Sequence, residues 1–299
     1  MKIAIAGGSG FIGKTVSSKL IELNHDVYIL TRNPNNKQKK GVQFVQWLSK
    51  GSTPEKELEG IDAFINLAGE NLNSGRWTKA KKEEILQSRI SATNEVVRII
   101  KALKKKPEVL VNGSAVGFYG TSIQNTFTEA DSHPGSDFLA TVVREWENTA
   151  SKASDDVRVV FSRFGMVIDK DEGALKKMLL PFKLFIGGNL GSGQQWMSWV
   201  HIEDVANTLI FCIENKQLEG PVNVTAPNPV RMKEFGKTVA AELGRPYWAP
   251  VPGFFLRVAL GEMSVLVVEG QRVLPKKLEE ANFQFQFPEL TPAIKDLLS

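Results

Sequence analysis

Three glycines near the start of the chain carry the first chemical signal: Gly7-x-x-Gly10-x-x-Gly13. Ahead of them Lys2-Ile3-Ala4-Ile5-Ala6 reads as a short buried strand. Behind them Phe11, Ile12, Val16, Leu20, Ile21 and Leu23 recur at helical spacing. In such a strand–turn–helix the first glycine permits a tight turn. The second lets the backbone approach a phosphate, and the third lets the helix pack on the strand. Free N–H groups at the helix start, around Phe11 and Ile12, would then favour a pyrophosphate. With 25 glycines in the chain, spacing alone is weak evidence. The strand before and the helix after make this a dinucleotide-binding signature.

The second signal is Arg32. Val27-Tyr28-Ile29-Leu30 reads as the next strand and runs into Thr31-Arg32-Asn33-Pro34. An acid at this strand end would bind the free ribose hydroxyls of NAD. Here Arg32 offers a planar fork suited to a 2′-phosphate, so the expected cofactor is NADP(H), with Thr31 and Arg32 at its adenosine end. The plain alternative is a solvent-facing arginine.

The elements that must position these groups follow in alternation. Strands are expected over Val42–Trp47, Ile61–Gly69, Val109–Ser114 and Val157–Arg163, with helices over Thr78–Lys106 and Asp137–Ala153 between them. This pattern specifies an α/β fold, a Rossmann-like doubly wound parallel sheet. The end of the fourth strand should lie beside the cofactor, where small Ala68 and Gly69 let adenine and ribose approach the backbone. Glu70, Asn71, Arg76 and Trp77 follow on a polar loop. On the helix after it, Arg89 is suited to a pyrophosphate, although a helix surface normally carries such charges.

Later segments read as a helix over Gly173–Phe185, bent at Pro181, and a flexible glycine-rich loop over 187–193. A late strand follows at Gly220–Val224, then a helix over Met232–Leu243 stopped by Gly244, and an apolar helical tract over Val251–Val268. Gln194, Gln195, Trp196 and Trp199 suit carbohydrate contact and equally suit packing. Arg272, Lys276 and Lys277 could face an anionic substrate or sit on a surface turn. His201 reads as a strand-to-helix turn residue, with Asp204 capping the helix.

Composition sets outer limits. The 299 residues are 42% hydrophobic and 23% charged, with a net charge of +4, as in ordinary globular proteins. The basic clusters Lys37-Gln38-Lys39-Lys40 and Lys104-Lys105-Lys106 are not interleaved with aromatics, so no nucleic-acid partner is expected. Arg257 and Glu262 interrupt the longest apolar tract, so no membrane span or membrane partner is expected either. Cys212 is the single cysteine, which fits a reducing, cytoplasmic setting, and no signal peptide is expected at the N-terminus.

The glycine motif, Asn66-Leu67-Ala68-Gly69-Glu70-Asn71, Ser88-Arg89, the Ser114 turn, Gly187-Gly188 through Gly193, Trp199 to Val205 and Gly270 to Lys277 together resemble extended short-chain dehydrogenases/reductases. The chain looks like their atypical "epimerase family protein" subgroup, named for sugar-nucleotide epimerases. The resemblance spans essentially the whole chain. It implies a cofactor domain over 1–165, to which 199–226 return, and a C-terminal substrate lobe of 166–198 and 227–299. It also implies cofactor contacts from Leu67 and Ala68, from Glu84 and Arg89, and from the backbone around Gly165 to Val167. The substrate is expected to be a small molecule, either a sugar nucleotide or a carbonyl compound, and a homodimer is an open expectation.

One departure bears on activity. The family's helix after the fifth strand carries a tyrosine and, four residues later, a lysine, with a serine at the strand end. Ser114 fills the serine place, but Phe138 and Val142 stand where the pair is expected, and neither carries a proton. The only tyrosines, Tyr28, Tyr119 and Tyr247, have no lysine four residues on. Three readings stay open: another acid/base, with Tyr119 ahead of Glu70 and His201; a proton from water or substrate; or NADP(H) binding without turnover, as a sensor or scaffold.

Overall fold

The structure is a computed structural model that describes residues 1–34 and 40–299; Lys37, Gln38 and Lys39 of the first basic cluster lie outside the described residues. The central sheet contains β1 (Lys2–Ala6), β2 (Asp26–Thr31), β3 (Val42–Gln46), β4 (Ala63–Asn66), β5 (Val109–Ala115), β6 (Arg158–Phe164) and β7 (Gly220–Val224). Their order is 3-2-1-4-5-6-7 and every pair is parallel. Strands β1, β2 and β4 read as nearly unbroken apolar runs because both faces are covered, while the edge strand β3 alternates. Ile3 and Ile5 pack with α1 (Phe11–Glu22) and α5 (Ile202–Glu214) through Val16, Leu20, Val205 and Leu209. Ala4, Ala6 and Phe64 pack on the other face with α2 (Lys79–Ala102) through Val96, Ile99 and Ile100.

The chain reverses direction across the sheet between β1 and β4, and this is where a doubly wound sheet opens a crevice. The Gly7–Gly13 turn sits at that point. Gly7 has φ +81°, and a Cβ there would lie 2.7 Å from the carbonyl carbon of Leu67. A Cβ on Gly13 would lie 2.3 Å from the Gly7 carbonyl oxygen. The loop therefore touches the end of β4 backbone to backbone.

The remaining helices of eight residues or more among the described residues are α3 (Phe138–Ala150), α4 (Gly173–Lys183), α6 (Met232–Glu242), α7 (Gly253–Leu260) and α8 (Leu290–Leu298). Leu175 and Leu179 of α4, Trp199, Phe235 of α6 and Ile294 of α8 make a separate core for the C-terminal part. Among the described residues no helix is long and apolar enough to cross a membrane.

Four local expectations are corrected. The fourth strand is only Ala63–Asn66, because the Asn66 side chain leaves the strand pattern to bond other elements. The 251–268 tract is not one helix: α7 stops at Leu260, Gly261 takes φ +62°, and two short turns of helix follow. The helix containing Pro181 ends at Lys183, and Phe185 adopts φ +62°. Asp204 does not cap its helix. His201 does, its Nδ1 accepting from the Glu203 N–H at 3.2 Å, while buried Asp204 accepts from the backbone N–H groups of Gln286 (2.8 Å) and Phe287 (2.9 Å).

Because the Gly13 contact is with backbone, Gly13→Ala is expected to lower stability by about 1–3 kcal/mol through overpacking. Urea denaturation of the purified variant checks this; an unchanged midpoint would show that the turn relaxes freely.

Candidate functional site

Gly10 is the N-cap of α1, and it provides no side chain to cap the helix; the first turn also contains no acid. The Gly10 N–H is taken by the Gly7 carbonyl at 3.0 Å, and Lys14 N–H by the Gly10 carbonyl at 2.9 Å. The start of the helix around Phe11, Ile12 and Gly13 thus presents backbone donors and the positive end of the helix dipole without a competing carboxylate. An anion fits that arrangement.

The wall opposite is the end of β4. Leu67 N–H donates to the Ala6 carbonyl at 2.8 Å, which ties the segment to β1. Fully buried Asn66 donates to Thr93 Oγ1 (2.9 Å) and Asn112 Oδ1 (2.7 Å) and accepts from Ala68 N–H (3.2 Å). One side chain therefore joins β4, β5 and α2 and holds Leu67 and Ala68 in place. Asn66 was read only as part of a motif; its signal was a polar residue at the end of an otherwise apolar strand.

Arg89 crosses this wall. Its Nη1 donates to the carbonyls of Glu70 (3.0 Å) and Ile85 (2.9 Å), and its guanidinium lies 5.1 Å from the Trp146 ring. Gly69 leaves room for it: a Cβ there would stand 3.0 Å from Arg89 Cγ. Burial pulls the Arg89 pKa down to about 10, so the group keeps its charge at neutral pH. Glu84 is exposed and turned toward Lys81 (3.1 Å), which also holds Glu70 at 2.7 Å. Those two carboxylates are thus committed to a lysine.

Thr31 is buried and Arg32 exposed at the end of β2, where Ser49 Oγ donates to the Arg32 carbonyl at 3.2 Å. Val167 lies in the short strand Met166–Ile168, which pairs in parallel with Trp199–His201. Gly165 lets these chains meet, since a Cβ on it would stand 2.3 Å from the Ser198 carbonyl oxygen.

The floor of the site is a buried polar network. Ser114 Oγ donates to Glu147 Oε1 at 2.5 Å. Arg163 clamps the same carboxylate through Nε and Nη2, each at 2.8 Å, and gives Nη1 to Tyr119 Oη at 3.0 Å. Tyr119 in turn donates to Asn223 Oδ1 at 2.8 Å. Burial, the largest influence on Tyr119, pushes its ionisation above the usual phenol range, so it is neutral at pH 7. Ser114 and Tyr119 do come together, as members of one network, but their hydroxyls face protein partners. Glu147 and Arg163 were not singled out from the sequence, where one lies within a helix and the other at a strand end with no local sign that they pair.

Phe138 and Val142, on the opposite face of α3 from Glu147, pack with Trp77, Ile85, Met263 and Val265. Phe138 meets Trp77 edge-on at 5.3 Å. Fully buried Trp199 donates to the Asn228 carbonyl (3.1 Å), and Gln195 to the carbonyls of Leu190 (2.9 Å) and Val267 (2.8 Å), so both are engaged with protein and Gln195 pins the glycine-rich loop. Buried Cys212 has its thiol pushed up to about 12 and is inert at neutral pH.

Comparison with known proteins fits this geometry. The model of the "NAD dependent epimerase/dehydratase family" matches residues 3–225, and a domain of unknown function, DUF1731, matches residues 251–297. Epimerase family protein YfhF of Bacillus subtilis is 48% identical over 300 residues, covering 100% of this chain and 98% of that protein. The chloroplastic SDR39U1 homolog of Arabidopsis thaliana is 40% identical, covering 100% and 87% respectively. A crystal structure of human epimerase family protein SDR39U1 with NADPH superimposes with a TM-score of 0.89 at 32% identity, covering 99% of each chain.

Removing one partner of a buried ion pair leaves the other uncompensated. Glu147→Ala is therefore expected to destabilise the protein by about 3–5 kcal/mol, and Tyr119→Phe by about 1 kcal/mol. Chemical denaturation of both variants checks the order; equal effects would mean that Glu147 is no more than one hydrogen bond among others.

Proposed function

This chain belongs to the NAD dependent epimerase/dehydratase family, and on that premise we propose that it binds NADP(H) and uses it on a small-molecule substrate without the usual tyrosine–lysine pair. The observation that carries the reading is the uncapped, acid-free start of α1 set against Leu67 at the switch point of the sheet. In this reading the pyrophosphate lies on Phe11, Ile12 and Gly13, with Gly7 and Gly10 shaping the turn. Leu67, Ala68 and Gly69 border the adenosine, and Arg89 supplies charge from the side. Thr31 and Arg32 meet the 2′-phosphate, and the backbone at Val167 passes the nicotinamide. NADP(H), when bound, supplies or accepts a hydride.

The proton side is unusual. Phe138 and Val142 have none to give, and the Ser114 and Tyr119 hydroxyls are engaged in the floor network. We assign Ser114 and Tyr119 as positioning residues and take the proton from water or from the substrate. Loss of a positioned acid/base slows such a reaction by about 10²- to 10⁴-fold. Residues 1–165 and 199–226 would hold the cofactor and the remainder the substrate, a sugar nucleotide or a carbonyl compound. The single buried thiol suits a reducing, cytoplasmic compartment. The packing of Phe138 and Val142 under Met263 and Val265 favours one second reading, a protein that holds NADP(H) without turnover.

Fluorescence titration and NADPH oxidation with a panel of carbonyl compounds and sugar nucleotides separate the two. Slow consumption with any of them supports the first; tight binding with none consumed supports the second. Arg32→Ala should weaken NADPH by about tenfold or more and leave NADH nearly unchanged. Equal loss for both would remove the 2′-phosphate assignment.

A further inference from the structure

Outside the cofactor site, the C-terminal part carries a large uncovered apolar face. Leu180, Leu184, Phe185 and Ile186, in and after α4, are between 52% and 60% exposed. Trp248, Phe254, Phe255 and Val258 are between 61% and 70% exposed. The two segments are joined. Trp248 Nε1 donates to the Phe185 carbonyl at 2.9 Å, the Arg245 guanidinium lies 4.2 Å from the Phe185 ring, and Val251 N–H donates to the Asn189 carbonyl at 2.7 Å. From there α7 continues, Gly-Phe-Phe-Leu-Arg-Val-Ala-Leu, with no buried residue at all. Its far end is held by Arg76, which donates to the Ala259 carbonyl at 3.0 Å. An apolar helix that reaches no core is built for a partner.

Charge indicates which partner. Residues 173–186 and 245–261 contain Lys176, Lys177, Lys183, Arg245 and Arg257 and not one acid. All five are exposed. Among the flanking acids, Glu172 is paired with Lys14 at 2.8 Å and Glu262 with Lys82, and Glu269 lies 4.0 Å from Arg257. A second copy of the chain docked by the same face would set these positive charges against themselves. Exposed Trp, Phe and Leu ringed by Lys and Arg are what an interfacial segment presents to anionic lipid.

We propose that this face docks on an anionic membrane surface, with the Phe254, Phe255 and Trp248 side chains entering the headgroup boundary and the five basic side chains meeting lipid phosphates. No spanning helix is needed. The expectation of no membrane partner rested on the lack of a span, and interfacial contact is a different mode. The inference is independent of the cofactor reading.

Flotation of the full chain with vesicles tests it. Binding is expected to phosphatidylcholine vesicles containing phosphatidylglycerol, to weaken with salt, and to be much weaker with phosphatidylcholine alone. Phe254→Ser with Phe255→Ser should reduce binding about tenfold or more. Lys176→Glu with Lys177→Glu should reduce it about fivefold or more for each charge. Thermal melting and NADPH titration serve as controls for folding. Failure to bind the anionic vesicles, binding unchanged in both variants, or capture of a soluble acidic polypeptide in place of vesicles would each overturn the proposal. So would light scattering that shows a dimer broken by the Phe254/Phe255 change.

Discussion

The structure leans on one buried ion pair, Glu147 with Arg163, whose side chains are 9% and 4% exposed. Two charges taken out of water are tolerated only where almost every lone pair and N–H finds a partner. Here the carboxylate takes two bonds from the guanidinium and one from Ser114, and the third guanidinium nitrogen reaches Tyr119. The Phe118 ring covers the guanidinium at 3.5 Å. The bonds then run on through Asn223 to the Leu274 carbonyl at 3.0 Å. One continuous network thus links α3, the ends of β5, β6 and β7, and the C-terminal segment.

That network makes α3 a helix with two different obligations. One side turns Glu147 inward, and the opposite side carries Phe138 and Val142 against Trp77, Ile85, Met263 and Val265. A lysine at position 142, which is buried, would place an unpaired ammonium among apolar side chains, and that costs several kcal/mol unless a partner is supplied. The side chains clustered with Phe138 and Val142 are apolar, and the C-terminal segment contributes two of them, Met263 and Val265.

The central architecture was legible because parallel strands buried on both faces leave unbroken apolar runs, and because Gly7 and Gly13 mark backbone contacts that tolerate no Cβ. In the wall, Ala68 and Gly69 were marked by their small size and Arg89 by its charge, and Leu67 by the resemblance alone. The floor was not legible. Ser114, Tyr119, Glu147, Arg163 and Asn223 are scattered over more than a hundred residues, and their pairing depends on the order of β5, β6 and β7 in the sheet. Asp204 failed as a cap for a related reason. It had a local role on offer at the helix start, and a distant segment, Gln286-Phe287, took its carboxylate instead. The 251–268 tract looked like one helix because apolar content says nothing about where a glycine takes positive φ.

The fold and the exposure of the α1 N-terminus cannot be separated at the Gly7–Gly13 turn. The Gly7 carbonyl accepts the Gly10 N–H and faces Gly13, while the Gly7 Cα faces the Leu67 carbonyl. Moving either neighbour outward would lift the start of α1 from the sheet and, in the same motion, turn its free N–H groups away from the end of β4. Asn66 opposes that motion from the other side by fixing Leu67 and Ala68 through β5 and α2. The start of α1 is thus held by two backbone segments at van der Waals distance, with Arg89 packed against Gly69 in the wall beside them. Close packing without side chains is what leaves the N–H groups at the helix start open to an anion.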